Sequence, residues 1–346
     1  MNGVPRTVVV TGGAGFAGGY VVRELLDRGY RVVVLDLADF RSETRFVIGS
    51  GMAEVTLERG SIDNFPRVLE VVLKHKPWAI AHLGAIMDIH LLDLNPMLAL
   101  KVNVEGTLNV FEAARLHGVS RVVMFSTIAA IGRRLYEPID GNHPTITARD
   151  GPLGAYSAAK VAAEAFAFAY NQSFGLDTRI VRPSALYGFG MSWFAPNYMK
   201  QIVEPAVLGE PVRLASGGQV PRDYVHAVDL ATLALAVLEG PEDADRVFYA
   251  ATGRPLRTGG DVGRIVRKLL PGAIVEIGDA WTDVDRDELR IRGQISIAHA
   301  QEQLGWSPRY ADLEQGIAEY VERLRAFVAA GGKPTPRPQI SHAPGG

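Results

Sequence analysis

Apolar residues along the first half of the chain fall into two alternating patterns. Short runs dominated by β-branched and aliphatic residues occupy 7–10, 31–35, 79–83 and 121–125, and 55–58 reads as a further strand. Such runs, without polar alternation, are how strands buried on both faces read. Between them, 16–28, 65–74 and 96–117 place apolar residues at helical spacing, and Gly29 ends the first of these. This rhythm predicts an α/β fold: a Rossmann-type doubly wound parallel sheet with helices on both faces. Ligands of such sheets bind beyond the carboxyl ends of the strands, so the loops that follow the strands are expected to gather at one edge.

The rhythm becomes irregular after about residue 184, where turn residues and scattered aromatics fill 191–194 and 209–218. The pattern predicts a cofactor-binding domain over 1–183 and a smaller C-terminal α/β substrate domain over 184–330. Residues 226–252, beginning with a helix at 227–238, return to the first domain. A polar stretch rich in Pro and Gly at 133–152 reads as a lid. An amphipathic helix at 311–328 closes the fold, and the Pro- and Gly-rich 331–346 is expected to be a disordered tail. No internal repeat is visible.

Composition narrows the function. The chain has 346 residues, 47% hydrophobic and 21% charged, enough for one large or two unequal domains. A formal net charge of −2 makes no case for nucleic acid or an anionic membrane. The absence of cysteine excludes disulfides, thiolate catalysis and Cys-zinc sites, and fits a cytoplasmic setting. No apolar run approaches the roughly 18 residues of a membrane span. The first strand begins within a few residues of the start, with no charged-then-apolar leader.

The chemistry begins at Thr11-Gly12-Gly13-Ala14-Gly15-Phe16-Ala17-Gly18, directly after the first strand. Gly12 lets the chain turn tightly, Gly15 lets backbone approach a pyrophosphate, and Gly18 lets the following helix pack close to the sheet. That helix aims its N-terminal amides at the phosphates. Asp36 ends the second strand, where its carboxylate can accept both ribose hydroxyls and would repel a 2′-phosphate. The set predicts dinucleotide binding, with NAD preferred over NADP. Far downstream, Tyr156 and Lys160 stand four apart and share one helix face. An ammonium beneath a phenol lowers the tyrosine's pKa and makes it usable as an acid or base. By itself the pair could equally be a solvated helix face.

Further pieces follow in order: His82-Leu83-Gly84-Ala85, Asn103-Val104-Glu105-Gly106-Thr107, Ser126-Thr127 with Gly132, Arg182-Pro183, Tyr187-Gly188, Arg222-Asp223-Tyr224-Val225-His226 with Asp229, and Leu304-Gly305-Trp306. With the glycine loop and Tyr156-x-x-x-Lys160, the chain resembles the extended short-chain dehydrogenase/reductases of the NAD-dependent epimerase/dehydratase family over about residues 5–325. The resemblance implies that Thr127 hydrogen-bonds the substrate's reacting oxygen. Tyr156 is then the general base or acid, and Lys160 holds the nicotinamide ribose. Gly12, Gly15, Phe16, Ala17, Asp36, Ser61, Ile62, Leu83, Gly84, Ala85, Asn103 and Pro183 would contact or support NAD. No metal is implied. The family's dimers pair the helices expected at 96–117 and 155–174 into a four-helix bundle, so a homodimer is expected.

Departures bear on the substrate. Ser61 stands where the family often has an adenine-binding Asp, and Gly84 where Ala is usual. Ala185 replaces an Asn that helps grip a nucleotide-sugar diphosphate, whereas Arg222 occupies the place of a diphosphate-binding arginine. The alternative for Arg222 is a structural pairing with Asp223 or Asp229. Asp88, His90, Arg133, Trp193, Asn197 and Arg222 are further candidate substrate contacts. The foremost reading is a nucleotide-sugar (UDP-sugar) 4-epimerase-type reaction by transient hydride transfer to bound NAD. The alternative is an NAD-dependent dehydrogenase of a free sugar, sugar acid or other small secondary alcohol that releases NADH.

Overall fold

The computed structural model describes residues 5–147, 151, 153–193 and 197–337. Seven parallel strands form the central sheet, in the spatial order Val247–Ala250, Thr178–Pro183, Arg121–Phe125, Ala79–His82, Thr7–Thr11, Arg31–Asp36 and Thr56–Arg59. The order reverses between Thr7–Thr11 and Ala79–His82, which opens a crevice at the carboxyl edge. Register brings Thr11 beside Leu35 on one side and His82 on the other, and His82 beside Met124. The expected loops therefore do gather at one edge.

Alternation along each strand supplies two cores. Val8, Val10, Val32 and Val34 face the helices Phe16–Asp27 and Ala227–Glu239. Val9 and Val33 face the other way, toward Val68, Val110, Phe111 and Ala163. The inner strands are buried on both faces, which is why they read as apolar runs, whereas the edge strand Thr56–Arg59 is partly exposed. The remaining strands are short: Val212–Ser216 pairs with Val275–Ala280, Ala185–Tyr187 with Tyr224–His226, and Pro221–Arg222 with Arg257–Thr258. Helices Met199–Val207, Gly259–Leu269 and Leu313–Ala329 cover them.

Three expectations change. The helix expected at 96–117 is interrupted: Ala99–Glu105 is a π-helical segment between helical turns, and Asn103 lies in it. The 133–152 stretch is tied down rather than lid-like where it is described. Arg134 N–H donates to Arg290 O at 2.7 Å, and Ser296 N–H to Ile139 O at 2.7 Å. Residues 148–150 and 152 lie outside the described residues, as do 194–196. The start of the expected tail is also fixed. Thr335 donates through its backbone N–H (2.8 Å) and hydroxyl (2.5 Å) to the buried Glu43 carboxylate, and its carbonyl accepts from Trp193 Nε1 at 2.8 Å. Two donors for a buried carboxylate outweigh the compositional tendency to disorder. Residues 338–346 lie outside the described residues.

Candidate active site

The glycine loop is built by contact as much as by flexibility. Gly12 adopts a positive φ of 70°, and a Cβ there would sit 2.8 Å from Gly84 N and 2.9 Å from the Leu83 carbonyl carbon. A Cβ on Gly18 would lie 2.3 Å from Gly12 O. These glycines let the first helix and the loop after Ala79–His82 close against the turn. Gly15 caps the Phe16–Asp27 helix without a side-chain hydrogen bond, so the first-turn amides by Phe16 and Ala17 keep their capacity for an anion. Asp36 accepts from Ala14 N–H and Ala38 N–H, each at 3.0 Å, which fixes its carboxylate beside the loop.

Beyond the next strands, Ile62 O accepts from Asn109 Nδ2 at 2.9 Å, and Ile62 packs against Gly106. The hydroxyl of Ser61 hydrogen-bonds Asp63, whose carboxyl is thereby held below its usual range. At Gly84, where Ala is usual, a Cβ would be 3.1 Å from Thr11 Oγ1 and 3.3 Å from Ile62 Cγ2, a tight fit. Ala85 is partly buried in the same loop, and Pro183 ends the sixth strand.

Tyr156 and Lys160 lie on the Gly154–Phe174 helix, both buried. Asp93 starts that helix, accepting from Ala155 N–H at 2.9 Å, and Gly154 takes φ +68° beneath it. Tyr156 packs among Leu92, Ala99, Val104 and Ala159. Lys160 Nζ donates to Phe125 O at 2.8 Å, two residues before Thr127, and lies 5.9 Å from the Tyr156 ring centroid. The helix thus joins the end of the Arg121–Phe125 strand. Thr127 caps the short helix Ile128–Ile131, its Oγ1 accepting from Ala129 N–H at 3.2 Å. Neighbouring Ser126 Oγ is buried without a partner, a feature no local pattern signals.

The expected acidification of Tyr156 is not present in this state. Burial pushes its phenol up to about 12. The lysine reaches a carbonyl rather than the phenol oxygen, so desolvation of the phenolate dominates. Burial also pulls Lys160 down to about 8, opposed by Glu164 one turn later. Glu164 itself is clamped by Arg182, through Nε at 2.9 Å and Nη2 at 2.6 Å. Asn103 is fully buried. Its amide donates to Ile86 O (2.9 Å) and accepts from Ile86 N–H (2.8 Å), so it secures the loop after Ala79–His82.

The substrate candidates are scattered among structural tasks. Asp88 caps the Ile89–Leu94 helix, and His90 is exposed. Arg133 is exposed, beside the Ile128–Ile131 helix. Asn197 bonds Leu186 O and Met199 N–H, and Trp193 bonds Thr335. Ala185 is buried, its N–H donating to Asp223 O at 2.9 Å. Arg222 does not pair with Asp223 or Asp229. Its Nη2 lies 3.0 Å from Asp285 Oδ1 and its Nη1 2.6 Å from Glu288 Oε2, with the guanidinium 1% exposed. Asp223 instead holds Ser184 and Thr252, while Asp229 accepts from Arg309 and Tyr310 amides. The partners 63 and 66 residues away could not be chosen over adjacent carboxylates by spacing alone.

A profile of the NAD dependent epimerase/dehydratase family matches residues 8–250, from the first strand of the sheet to the last. The chain belongs to this family. Among its relatives, a UDP-glucose 4-epimerase of Mycolicibacterium smegmatis is 30% identical over 329 residues, covering 92% of this chain and 98% of that one. UDP-glucuronic acid decarboxylase 1 of Arabidopsis thaliana is 27% identical, over 92% of this chain and 69% of its own length. A solved UDP-glucose 4-epimerase of Thermus thermophilus, in complex with NAD, is 28% identical and superposes with a TM-score of 0.76 over 92% of this chain and 99% of that one. The chain is therefore an enzyme of the extended short-chain dehydrogenase/reductase type with NAD as its cofactor. The loop fits that cofactor: open first-turn amides, a glycine turn without room for a Cβ, and a carboxylate fixed at the end of the second strand.

Proposed function

We propose that this enzyme oxidises a secondary hydroxyl of a sugar or sugar-like substrate, with Tyr156 as the base. The observation that carries this is the helix Gly154–Phe174, which sets Tyr156 and Lys160 against the carboxyl end of Arg121–Phe125, next to Thr127. Bound NAD supplies the hydride acceptor. Thr127 Oγ1, with a proton free to donate, orients the reacting oxygen. Tyr156 takes the hydroxyl proton, and the Lys160 ammonium stabilises the phenolate. Gly12, Gly15, Phe16, Ala17, Asp36, Ser61, Ile62, Leu83, Gly84, Ala85, Asn103 and Pro183 line or support the cofactor. Residues 1–183 with 226–252 serve as the cofactor half, and 184–330 as the substrate half.

The relatives' activities favour one continuation, 4-epimerisation of a UDP-sugar. There the oxidised sugar turns over and the same Tyr156 returns its proton as hydride comes back. Ala185 and the ion pairs of Arg222 favour the other, a dehydrogenase of a free sugar, sugar acid or small alcohol that releases NADH. Ala185 offers a diphosphate no side-chain hydrogen bond, and Arg222 is already neutralised by two carboxylates. Incubation with NAD and a panel of UDP-sugars and free sugars separates them. Epimer exchange without net absorbance of NADH supports the first, and stoichiometric NADH from a free sugar the second. In either case Tyr156→Phe is expected to lose at least about 100-fold in rate while binding NAD as before. Near-normal turnover would remove Tyr156 from the reaction.

The assembly we read is a cytoplasmic homodimer. Leu100 and Met97 on one helical stretch, and Phe166 and Phe168 on the Tyr156 helix, stay exposed in the single chain. A four-helix bundle between two copies would cover them.

A further inference from the structure

His82 ends the fourth strand, beside the topological switch, and is 1% exposed. Both its ring nitrogens are engaged. Thr11 Oγ1 lies 2.7 Å from Nδ1, and Thr107 Oγ1 lies 2.9 Å from Nε2. Proton counting assigns the tautomer. Thr107 spends its only hydroxyl proton on Asn103 O at 2.8 Å, so Nε2 must be the donor to Thr107. Nδ1 then carries the lone pair and accepts from Thr11, whose oxygen in turn accepts from Gly84 N–H at 3.1 Å. The result is a one-way chain: Gly84 N–H to Thr11, Thr11 to His82, His82 to Thr107, Thr107 to Asn103 O. The Asn103 side chain closes the path by gripping Ile86, two residues beyond Gly84.

The ring must be neutral for this. A protonated Nδ1 would donate to Thr11 and leave the buried Thr11 hydroxyl proton without its acceptor. Burial, with the nearby Lys160 charge, pulls the imidazole down to about 3, so it stays neutral at any working pH. The chain of hydrogen bonds also crosses a tight contact of the cofactor crevice, where Gly12 has no room for a Cβ against Leu83 and Gly84. A shift of Thr11 relative to Gly84 would close or open that contact directly.

We propose that His82 is a positioning residue for NAD. Its imidazole holds the start of the glycine loop, the Leu83–Ile86 turn and the π-helical Asn103 segment in one register, and so shapes the surface that receives the cofactor. This rests on the reading that Gly12, Leu83 and Gly84 face NAD. A neutral histidine suits the task because it is rigid, donates once and accepts once across its ring.

The test is NAD affinity, by titration calorimetry on the full chain without any sugar, so that an error in the substrate reading leaves it untouched. His82→Leu is expected to weaken NAD about tenfold, since it leaves two buried hydroxyls short of a partner. Thr11→Val is expected to weaken it less. The double variant should be no worse than His82→Leu alone, because both cut the same chain. His82→Gln, which keeps one donor and one acceptor, should recover most of the loss. A purely structural histidine would lower the melting temperature and leave the affinity of folded protein unchanged. That result for His82→Leu, or strictly additive effects in the double variant, overturns the proposal. Should His82→Leu fail to fold, unchanged affinity in folded Thr11→Val overturns it equally. A parent chain that binds no NAD overturns both this proposal and the cofactor site on which it rests.

Discussion

Lys160 is the residue whose state is most finely balanced. Its ammonium is buried, yet it keeps a carbonyl acceptor at Phe125 and the distant support of Glu164. Its folded pKa, about 8, lies below the unfolded value of 10.5. Between those values the unfolded chain binds more protons than the folded one, so the ionisation penalty is full below pH 8 and fades as pH rises to 10.5. Lys160→Met removes that penalty. Its melting temperature relative to the parent is therefore expected to be highest below pH 8 and to decline across pH 8 to 10.5. A difference that does not move with pH would mean that Lys160 is not desolvated. Tyr156 runs the other way: burial holds the phenol protonated, so an active base depends on bringing the Lys160 charge to bear on its oxygen. Oxidation is accordingly expected to speed up as pH rises from 6 toward 7, where Lys160 is still charged, and to level off near pH 8 as that charge is lost, as a pH–rate profile would record.

Among the elements, the segment after the last helix gains most from tertiary contacts. Leu313–Ala329 ends where its pattern ends, but the following residues continue across the molecule until Thr335 meets Glu43. Glu43 lies in the helix Ser42–Ile48 after the second strand, whereas Trp193 follows the strand Ala185–Tyr187. The strap thus joins the two. Thr335→Val removes one hydrogen bond to a buried carboxylate and is expected to cost about 1–2 kcal/mol in urea unfolding. Truncation after Gly332 should cost more and shift the Trp193 fluorescence to the red, because the indole loses its carbonyl partner to water. An unchanged unfolding midpoint in both variants would mean that the strap adds nothing to stability. The π-helical turn at Ala99–Glu105 is the second such element. Its apolar pattern continues the helix on either side, and only the docking of Asn103 onto Ile86 marks the change of winding.

The whole chain leaves apolar surface on two neighbouring helices, and light scattering at micromolar concentration is expected to report a dimer. Phe166→Glu with Leu100→Glu should yield a monomer, and a dimer of undiminished strength would place the contact elsewhere. The alternation of strands and helices, the glycine spacing, Asp36 and the Tyr156–Lys160 pair were all legible in the chain. Each rests on neighbours within a few residues: a turn that only glycine permits, a helix face repeating every 3.6 residues, a strand buried on both sides. Partners brought together by folding were not legible. Thr11 and His82 are 71 residues apart, Arg222 and Asp285 63, and Thr335 and Glu43 292. The sequence by itself determined the sheet, the cofactor and the helix face that Tyr156 and Lys160 share, because local sterics and periodicity suffice for them. Only the tertiary structure decided which charges neutralise Arg222, where Asn103 points and which proton His82 carries. Burial sets the cost of each unpaired group, and the fold alone determines which partner is in reach.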